Sequence, residues 1–240
     1  MEKVYLAKAK YLKDSLKLIE NIDVFVVSDF GCGGGHFVNS LQKLKVDSTG
    51  YDISNVMIDL AKDYWKYKNN SDACNCFNVV FSEEELYKKI EEKKKDVSSF
   101  IGVLEHLSNP NNAIEAFLES KAKYMFFSVP LFSLSVFFEN AFQNIFPRQL
   151  GAGHTHLYTF ESINYFCKKY KLKKLSQWHF GTDSMDLKRS LLIELDKNKS
   201  SDFTIKTFQN KFMTNDLINQ IQEIIDKNLC GSEVHMLVSK

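Results

Sequence analysis

The chain has 240 residues, 44% hydrophobic and 25% charged, the composition of an ordinary globular protein with enough apolar residues for a sizeable core. Lys and Arg number 31 against 30 Asp and Glu, a formal net charge of +1, which gives no basic footprint for nucleic acid. The opening MEKVYLAKAKYLKDSL is charged throughout and reads as no signal peptide, and no run approaches the ~20 apolar residues of a membrane span.

Taken in order, Val4, Leu6, Tyr11, Leu12, Leu16 and Ile19 recur at helical spacing and predict an amphipathic helix over 3–20. DVFVVSDF (23–30) is a continuous apolar run, as in a strand buried on both faces. A glycine-dense turn follows, then a helix from HFVNSLQKL. A second strand lies within 47–54 and a second helix starts near Ser54, a plausible N-cap. CFNVVF (76–81) reads as a strand, SEEELYKKIEEKKK as a solvated helix, 96–104 as a fourth strand, NAIEAFLESKA as a helix and 124–130 as a fifth strand. This alternation predicts a doubly wound α/β sheet whose strands present their C-terminal ends on one edge, where ligands bind. Beyond it come an aromatic-rich stretch (131–159), a helix over 161–170, a strand near 172–180, a mostly helical stretch over 183–229 and a last strand, EVHMLVSK. With no repeat or low-complexity linker, the expectation is one domain over 1–240 with two insertions, 131–160 and 183–229.

The turn VSDFGCGGGHF decides between two nucleotide-type cofactors. A dinucleotide loop reads G-x-G-x-x-G, and aligned on Gly31 and Gly33 its third glycine falls on His36. The chain instead reads D-x-G-x-G-x-G, with Asp29, Gly31, Gly33 and Gly35. This resembles the first motif of class I S-adenosylmethionine (SAM)-dependent methyltransferases. SAM carries no phosphate but has an ammonium on its methionine end, which an acid closing the first strand suits. Asp52, with Ile53 beside it, ends the second strand, where a carboxylate can accept both ribose hydroxyls.

A further stretch, DVSSFIGVLEHLSNP, resembles the fourth-strand segment of many small-molecule methyltransferases. The resemblance covers residues ~20–130 in order and spacing. It implies a seven-stranded Rossmann-like sheet with helices on both faces and a lid insertion. It also implies SAM as cofactor with S-adenosylhomocysteine (SAH) as product, Glu105 in the cofactor shell, and His106 as a catalytic residue at the pocket mouth. Ser82, Glu83 and Glu84 all stand where the family has a polar residue against the adenine; Ser82 is carried as the candidate.

GAGHTHLYTFES places His154, His156 and Tyr158 close together before a helix that Thr159 can cap. Two histidines at H-x-H can begin a metal site, but no third ligand stands out, so none is expected. The imidazoles suit base catalysis or substrate contact. The stretch from HTHLYT to WHFGTDSMDLKRSL more loosely resembles sugar-modifying methyltransferases of bacterial surface-polysaccharide pathways. That resemblance implies a small-molecule acceptor: a sugar, a sugar nucleotide or a phosphorylated capsule precursor. Tyr158 is then a substrate contact, and Arg189 with Lys188 either contacts an anion or forms a solvated basic turn. The aromatic run at 131–146 reads as a lid or a homodimer contact rather than a membrane helix, because it has no basic face. Five cysteines, with Cys74 and Cys76 too close for an easy bridge, read as free thiols in a reducing cytoplasm. The rival readings are a non-catalytic SAM- or partner-binding member of the same fold, a methyltransferase acting on another small molecule, a nucleic-acid methyltransferase, which the lack of a basic signal disfavours, and a nicotinamide oxidoreductase, which the displaced third glycine disfavours.

Overall fold

The computed structural model describes residues 2–69, 75–92, 95–142, 144–145, 147–151 and 153–240. Cys74 lies outside these. In chain order the elements are α1 (Glu2–Glu20), β1 (Val26–Phe30), α2 (His36–Lys43), β2 (Asp47–Asp52), α3 (Asn55–Asn69), β3 (Phe77–Val79), α4 (Glu83–Glu92), β4 (Val97–Ile101), α5 (Pro110–Glu119) and β5 (Tyr124–Pro130). There follow α6 (Leu134–Ala141), α7 (Phe160–Lys169), β6 (Lys173–His179), α8 (Asp183–Lys197), α9 (Asp202–Thr207), a π-helical turn (Phe208–Phe212), α10 (Asn215–Lys227) and β7 (Glu233–Ser239).

The seven strands form one sheet in the order β3-β2-β1-β4-β5-β7-β6. β1 pairs in parallel with β2 and β4, β2 with β3, and β4 with β5. The C-terminal ends of β1, β2 and β4 therefore share one edge, and the order reverses beside β1. This is the Rossmann-like sheet expected from the alternation. β5 is buried along its whole length, which is why it reads as an unbroken apolar run.

Local chemistry sets the element ends. α1 stops at Glu20 because Asn21 takes a left-handed φ of 55°. α5 starts at Pro110, two residues earlier than its apolar pattern suggests, because the Asn109 side chain accepts from the Asn111 N–H. α7 opens with a reciprocal pair: Thr159 Oγ1 accepts from the Ser162 N–H at 3.2 Å, and Ser162 Oγ from the Thr159 N–H at 2.9 Å. β4 ends at Ile101 rather than near 104. Gly102 turns the chain with φ +68°, and Val103 and Leu104 are buried in that turn instead of in the sheet.

The chain divides into two compact units. The first comprises 1–128, 164–177 and 235–240; the second comprises 129–163 and 178–234. In the first, Ala9, Leu12 and Leu16 of α1 pack with Val27, Phe37, Leu41, Val97 and Phe126 in one core cluster. The start of α1 is tied down separately: Glu2 pairs with Lys43 of α2 and with Lys68 of α3, which holds its carboxyl down at about 2. The second unit is organised by buried carboxylates. Glu139 of α6 accepts the N–H groups of Arg148, Gln149 and Leu150 at 2.6, 2.8 and 3.0 Å. Asp183, fully buried at the start of α8, accepts from the Ser135 hydroxyl at 2.9 Å and from the Ser232 N–H at 2.8 Å. Each bond satisfies a buried polar group that would otherwise cost stability. No helix among the described residues is long and apolar enough to cross a membrane.

Leu12 is fully buried at the centre of the first unit's core. Leu12→Ala is expected to lower the unfolding free energy by about 2–5 kcal/mol, measured by urea denaturation.

Candidate active site

After Phe30 the chain turns through five residues into α2. The N–H groups of Gly31 and Cys32 both donate to the Tyr51 carbonyl, at 2.7 and 3.0 Å. The Gly33 N–H donates to Asp52 Oδ2 at 2.8 Å. The loop is thus hung on the last two residues of β2. Two of its positions require glycine. Gly31 has φ +74°, and a Cβ there would stand 2.5 Å from Val103 Cγ2. Gly35 has φ +72°, and its Cβ would stand 2.6 Å from the Phe77 ring. Gly35 therefore serves the packing of α2, while Gly33 has open space around it and lines a cavity.

Two carboxylates flank the loop. Asp29 is 2% exposed and accepts from the Ser99 hydroxyl at 2.7 Å. Burial pushes its carboxyl up to about 7; the Ser99 bond opposes this, the charge of Asp52 adds to it, and Lys8 opposes it. Asp52, also buried, accepts from the Ser54 N–H through Oδ1 at 2.8 Å. Ser54 in turn caps α3, its Oγ accepting from the Met57 N–H at 3.3 Å. A carboxylate offers about four acceptor sites, so the two backbone bonds on Asp52 leave room for further donors.

Two cavities meet at Gly31 and Gly102. The larger, about 520 Å³, is lined by Asp29, Gly33, Tyr5, His36 and Tyr64 among others. His36 stacks on Tyr5 at 5.5 Å and meets Tyr64 edge-on at 4.6 Å; burial lowers its pKa. The smaller, about 200 Å³, has Asp52, Ile53, Glu83, Val103 and His106 in its wall. Together they suit a ligand that brings a cation to Asp29 and hydroxyls to Asp52, with an apolar body between Ile53 and Val103. The sequence reading missed Tyr5 and Tyr64. Tyr64 stands in a row with Met57 and Leu60 on α3, a spacing usually taken by core residues.

The remaining expected residues fall in several places. Ser82 caps α4, accepting from the Glu85 N–H at 3.2 Å. Glu83 accepts from the N–H and hydroxyl of Ser108, which ties α4 to the turn after β4. Glu105 is buried in that turn and His106 is exposed at its end. In the second unit, His154 Nδ1 lies 3.1 Å from the Gln149 carbonyl, and His156 Nδ1 lies 2.7 Å from Thr155 Oγ1. The His156 ring is tilted 6.4 Å from Tyr158, whose N–H donates to the Pro130 carbonyl. Arg189 stands 3.6 Å from the buried Asp186, which Arg148 also reaches at 3.0 Å. Asp29, Gly31, Gly33, Asp52, Ile53 and His106 thus gather around the two adjoining cavities of the first unit. His154, His156, Tyr158 and Arg189 belong to the second unit.

A sequence model described as a methyltransferase domain matches residues 9–177. Among solved structures, a SAM-dependent methyltransferase from Archaeoglobus fulgidus is similar at a TM-score of 0.54 and 16% identity, over 97% of this chain and 94% of that one. A magnesium protoporphyrin IX methyltransferase from Synechocystis PCC 6803, solved with bound SAH, is similar at a TM-score of 0.57 and 16% identity, over 74% of this chain and 78% of that one. A plantazolicin methyltransferase in complex with SAH is similar at a TM-score of 0.58 and 15% identity, over 100% of this chain and 84% of that one. No curated protein matches the sequence. Identities this low carry the fold and leave the acceptor open.

The Asp29 carboxyl gives the ligand-free protein a pH dependence of definite sign. An aspartate titrates ordinarily at 3.8, and in the folded protein this one is raised to about 7. Between those values the folded state holds a proton that the unfolded chain has released. The associated stability is present below the lower value and is lost as pH rises through the upper one. Asp29→Asn is therefore expected to flatten this part of the profile. Thermal melts between pH 4 and pH 8 check it, with the parent losing more than the variant as pH rises.

Proposed function

Because this chain belongs to the methyltransferase-domain family, and so is an enzyme with SAM as its cofactor, we propose that it methylates an oxygen of a small polar acceptor. The acceptor is a sugar, a sugar nucleotide or a phosphorylated precursor of a bacterial capsule or surface polysaccharide. The observation that carries the cofactor half is the pair of buried carboxylates, Asp29 and Asp52, on either side of a glycine loop that opens onto both cavities. Asp29 would take the methionine ammonium, Asp52 the ribose hydroxyls, and Ile53 and Val103 the faces of the adenine. Gly31 and Gly33 let the backbone pass close beneath the ligand. Glu83 is better placed than Ser82 for a polar contact with the adenine, because it lines the smaller cavity while Ser82 caps α4. Glu105 is buried in the turn after β4, and in this reading it belongs to the cofactor shell.

When bound, SAM supplies a methyl group made electrophilic by a positively charged sulfur. The chain's own part is alignment, charge and the proton. Holding the acceptor oxygen in line can lower the barrier by roughly 7–11 kcal/mol. A hydroxyl acceptor must lose its proton as the new carbon–oxygen bond forms. His106, exposed at the edge of the smaller cavity, is the base in this reading. A phosphate oxygen is already ionised and needs none. The acceptor half rests on the looser sequence resemblance around 154–191 and on the imidazoles of His154 and His156, with Tyr158 and Arg189 as further contacts. In this reading the stretches 131–160 and 183–229 select the acceptor. Phe132 and Phe137, 55% and 56% exposed, are where two copies would pair. The free thiols Cys32, Cys76, Cys167 and Cys230 fit a reducing, cytoplasmic setting.

The test is SAH formation with a panel of sugars, sugar nucleotides and phosphosugars against peptide and RNA acceptors. Turnover confined to the sugar group supports the acceptor class, and turnover confined to the others overturns it. With a hydroxyl acceptor, His106→Gln is expected to lower kcat by about 10²–10⁴-fold while SAM binding is kept. Asp52→Asn is expected to weaken SAM by about 1–3 kcal/mol in calorimetry, because hydroxyl bonds to a carboxylate are charge-assisted.

A further inference from the structure

The chain holds 31 lysines and arginines, of which only two, Arg148 and Arg189, are arginines. Both reach the same carboxylate in the second unit. Asp186 is 2% exposed, and its Oδ1 lies 3.0 Å from Arg148 Nη1 and 3.6 Å from Arg189 Nη2. Its Oδ2 accepts from the hydroxyls of Ser135 and Thr182 at 3.0 and 3.1 Å. One negative charge thus faces two positive ones. Among the described residues, the other buried carboxylates of this unit, Glu139 and Asp183, are held without a guanidinium. Glu139 has its three backbone N–H groups, and Asp183 has the N–H and hydroxyl of Ser135 and the Ser232 N–H. Arg189, one turn along α8 from Asp186, would suffice to neutralise it. Arg148 brings a second charge from a different loop.

That loop holds Arg148 at both ends. The Glu139 carboxylate anchors its backbone together with the next two residues. At the far end of the side chain, Nη1 donates to Asp186 Oδ1 at 3.0 Å and to Thr182 Oγ1 at 3.2 Å. Among the described residues, the hydrogen bonds of this side chain leave from Nη1. Of the five N–H groups of a guanidinium, the three on Nε and Nη2 then form an open edge, in a side chain 45% exposed. Such an edge matches two oxygens of a phosphoryl group, and a fork already oriented loses little freedom on binding.

We propose that Arg148 and Arg189, braced by Asp186, form a phosphoryl-binding site, and that the methyl acceptor is held there by a phosphate or diphosphate group. The inference rests on the reading of 131–160 and 183–229 as the stretches that select the acceptor, and each supplies one of the two arginines.

The experiment is calorimetry of the full chain with glucose 1-phosphate, UDP-glucose and glucose, beside SAH formation with the acceptor panel. It compares the parent with Arg148→Gln, Arg148→Lys and Lys197→Gln. The last removes the same charge from the final turn of α8. The parent is expected to bind a phosphorylated probe and not glucose. Binding of both phosphorylated probes makes a single phosphate sufficient; binding of UDP-glucose alone makes the diphosphate the group recognised. Arg148→Gln is expected to weaken this binding about tenfold or more, with SAM affinity kept. Lys197→Gln is expected to stay within about twofold of the parent in ~0.15 M salt, where distant charges are screened. Arg148→Lys keeps the charge without the fork and is expected to fall between the two; it gives the reading should Arg148→Gln fail to fold. The site is overturned if neither phosphorylated probe binds, if glucose binds as well, if both Arg148 variants match the parent, or if Lys197→Gln weakens binding as much as Arg148→Gln. Turnover confined to unphosphorylated sugars overturns this inference and spares the sugar reading. Turnover confined to peptide or RNA overturns both.

Discussion

The Tyr51 carbonyl accepts two N–H groups from the glycine loop, and the Asp52 carboxylate accepts a third. Much of the site depends on these three bonds. They fix where the loop runs and hence where α2 begins and where its first residue, His36, lies. They also orient Asp52, whose second oxygen is held by the Ser54 N–H. One carboxylate therefore serves the loop, the start of α3 and the wall of the smaller cavity. The arrangement works only because parallel pairing sets β1 and β2 in register, with Asp29 beside Gly50 and Phe30 beside Tyr51. A slip of one residue along β2 would turn its side chains to the opposite face.

Asp29 shows how a site can be built against electrostatic preference. The fold buries a carboxyl completely, gives it the Ser99 hydroxyl and places a second carboxylate within range. Left alone, such a group keeps its proton. A cation arriving in the cavity reverses that balance, because attraction is stronger where water is excluded. In the role proposed for Asp29, affinity for a positively charged ligand would come from a group that is uncomfortable without one.

Much of this was legible in the sequence, and the reasons are specific. β1 and β5 are buried on both faces, so their apolar runs mark them directly. The D-x-G-x-G-x-G spacing is legible because Gly31, Gly33 and Gly35 all take positive φ, a local demand that glycine meets, and the acid closing β2 because its carboxylate accepts from the nearby Ser54 N–H. What the sequence hid depends on tertiary burial. Lys8 lies in a lysine-rich helix whose charge pattern suggests a solvated face, yet the helix is pressed onto β1 at that turn. Tyr5 and Tyr64 belong to helices some sixty positions apart, and both rings meet the ring of His36. Ile101 to Leu104 reads as strand throughout because a buried turn needs apolar residues as much as a strand does. In the second unit, the three N–H groups gathered by Glu139 and the bonds of Asp183 to Ser135 and Ser232 span distances along the chain that no local pattern encodes.

The sheet order carries a kinetic burden as well. β7 lies between β5 and β6, yet it follows β5 only after residues 131–232 have intervened. During synthesis β5 therefore waits with one edge unpaired, and its sequence YMFFSVP is among the most strongly apolar in the chain. An open, apolar strand edge is a template for pairing with other chains. Closing so long a loop is also slow, because its entropy must be given up before the β7 contacts form. The nascent chain is thus most exposed to aggregation in the interval before Glu233–Ser239 emerges, and a chaperone that shields the β5 edge would act on the step where this fold is most vulnerable.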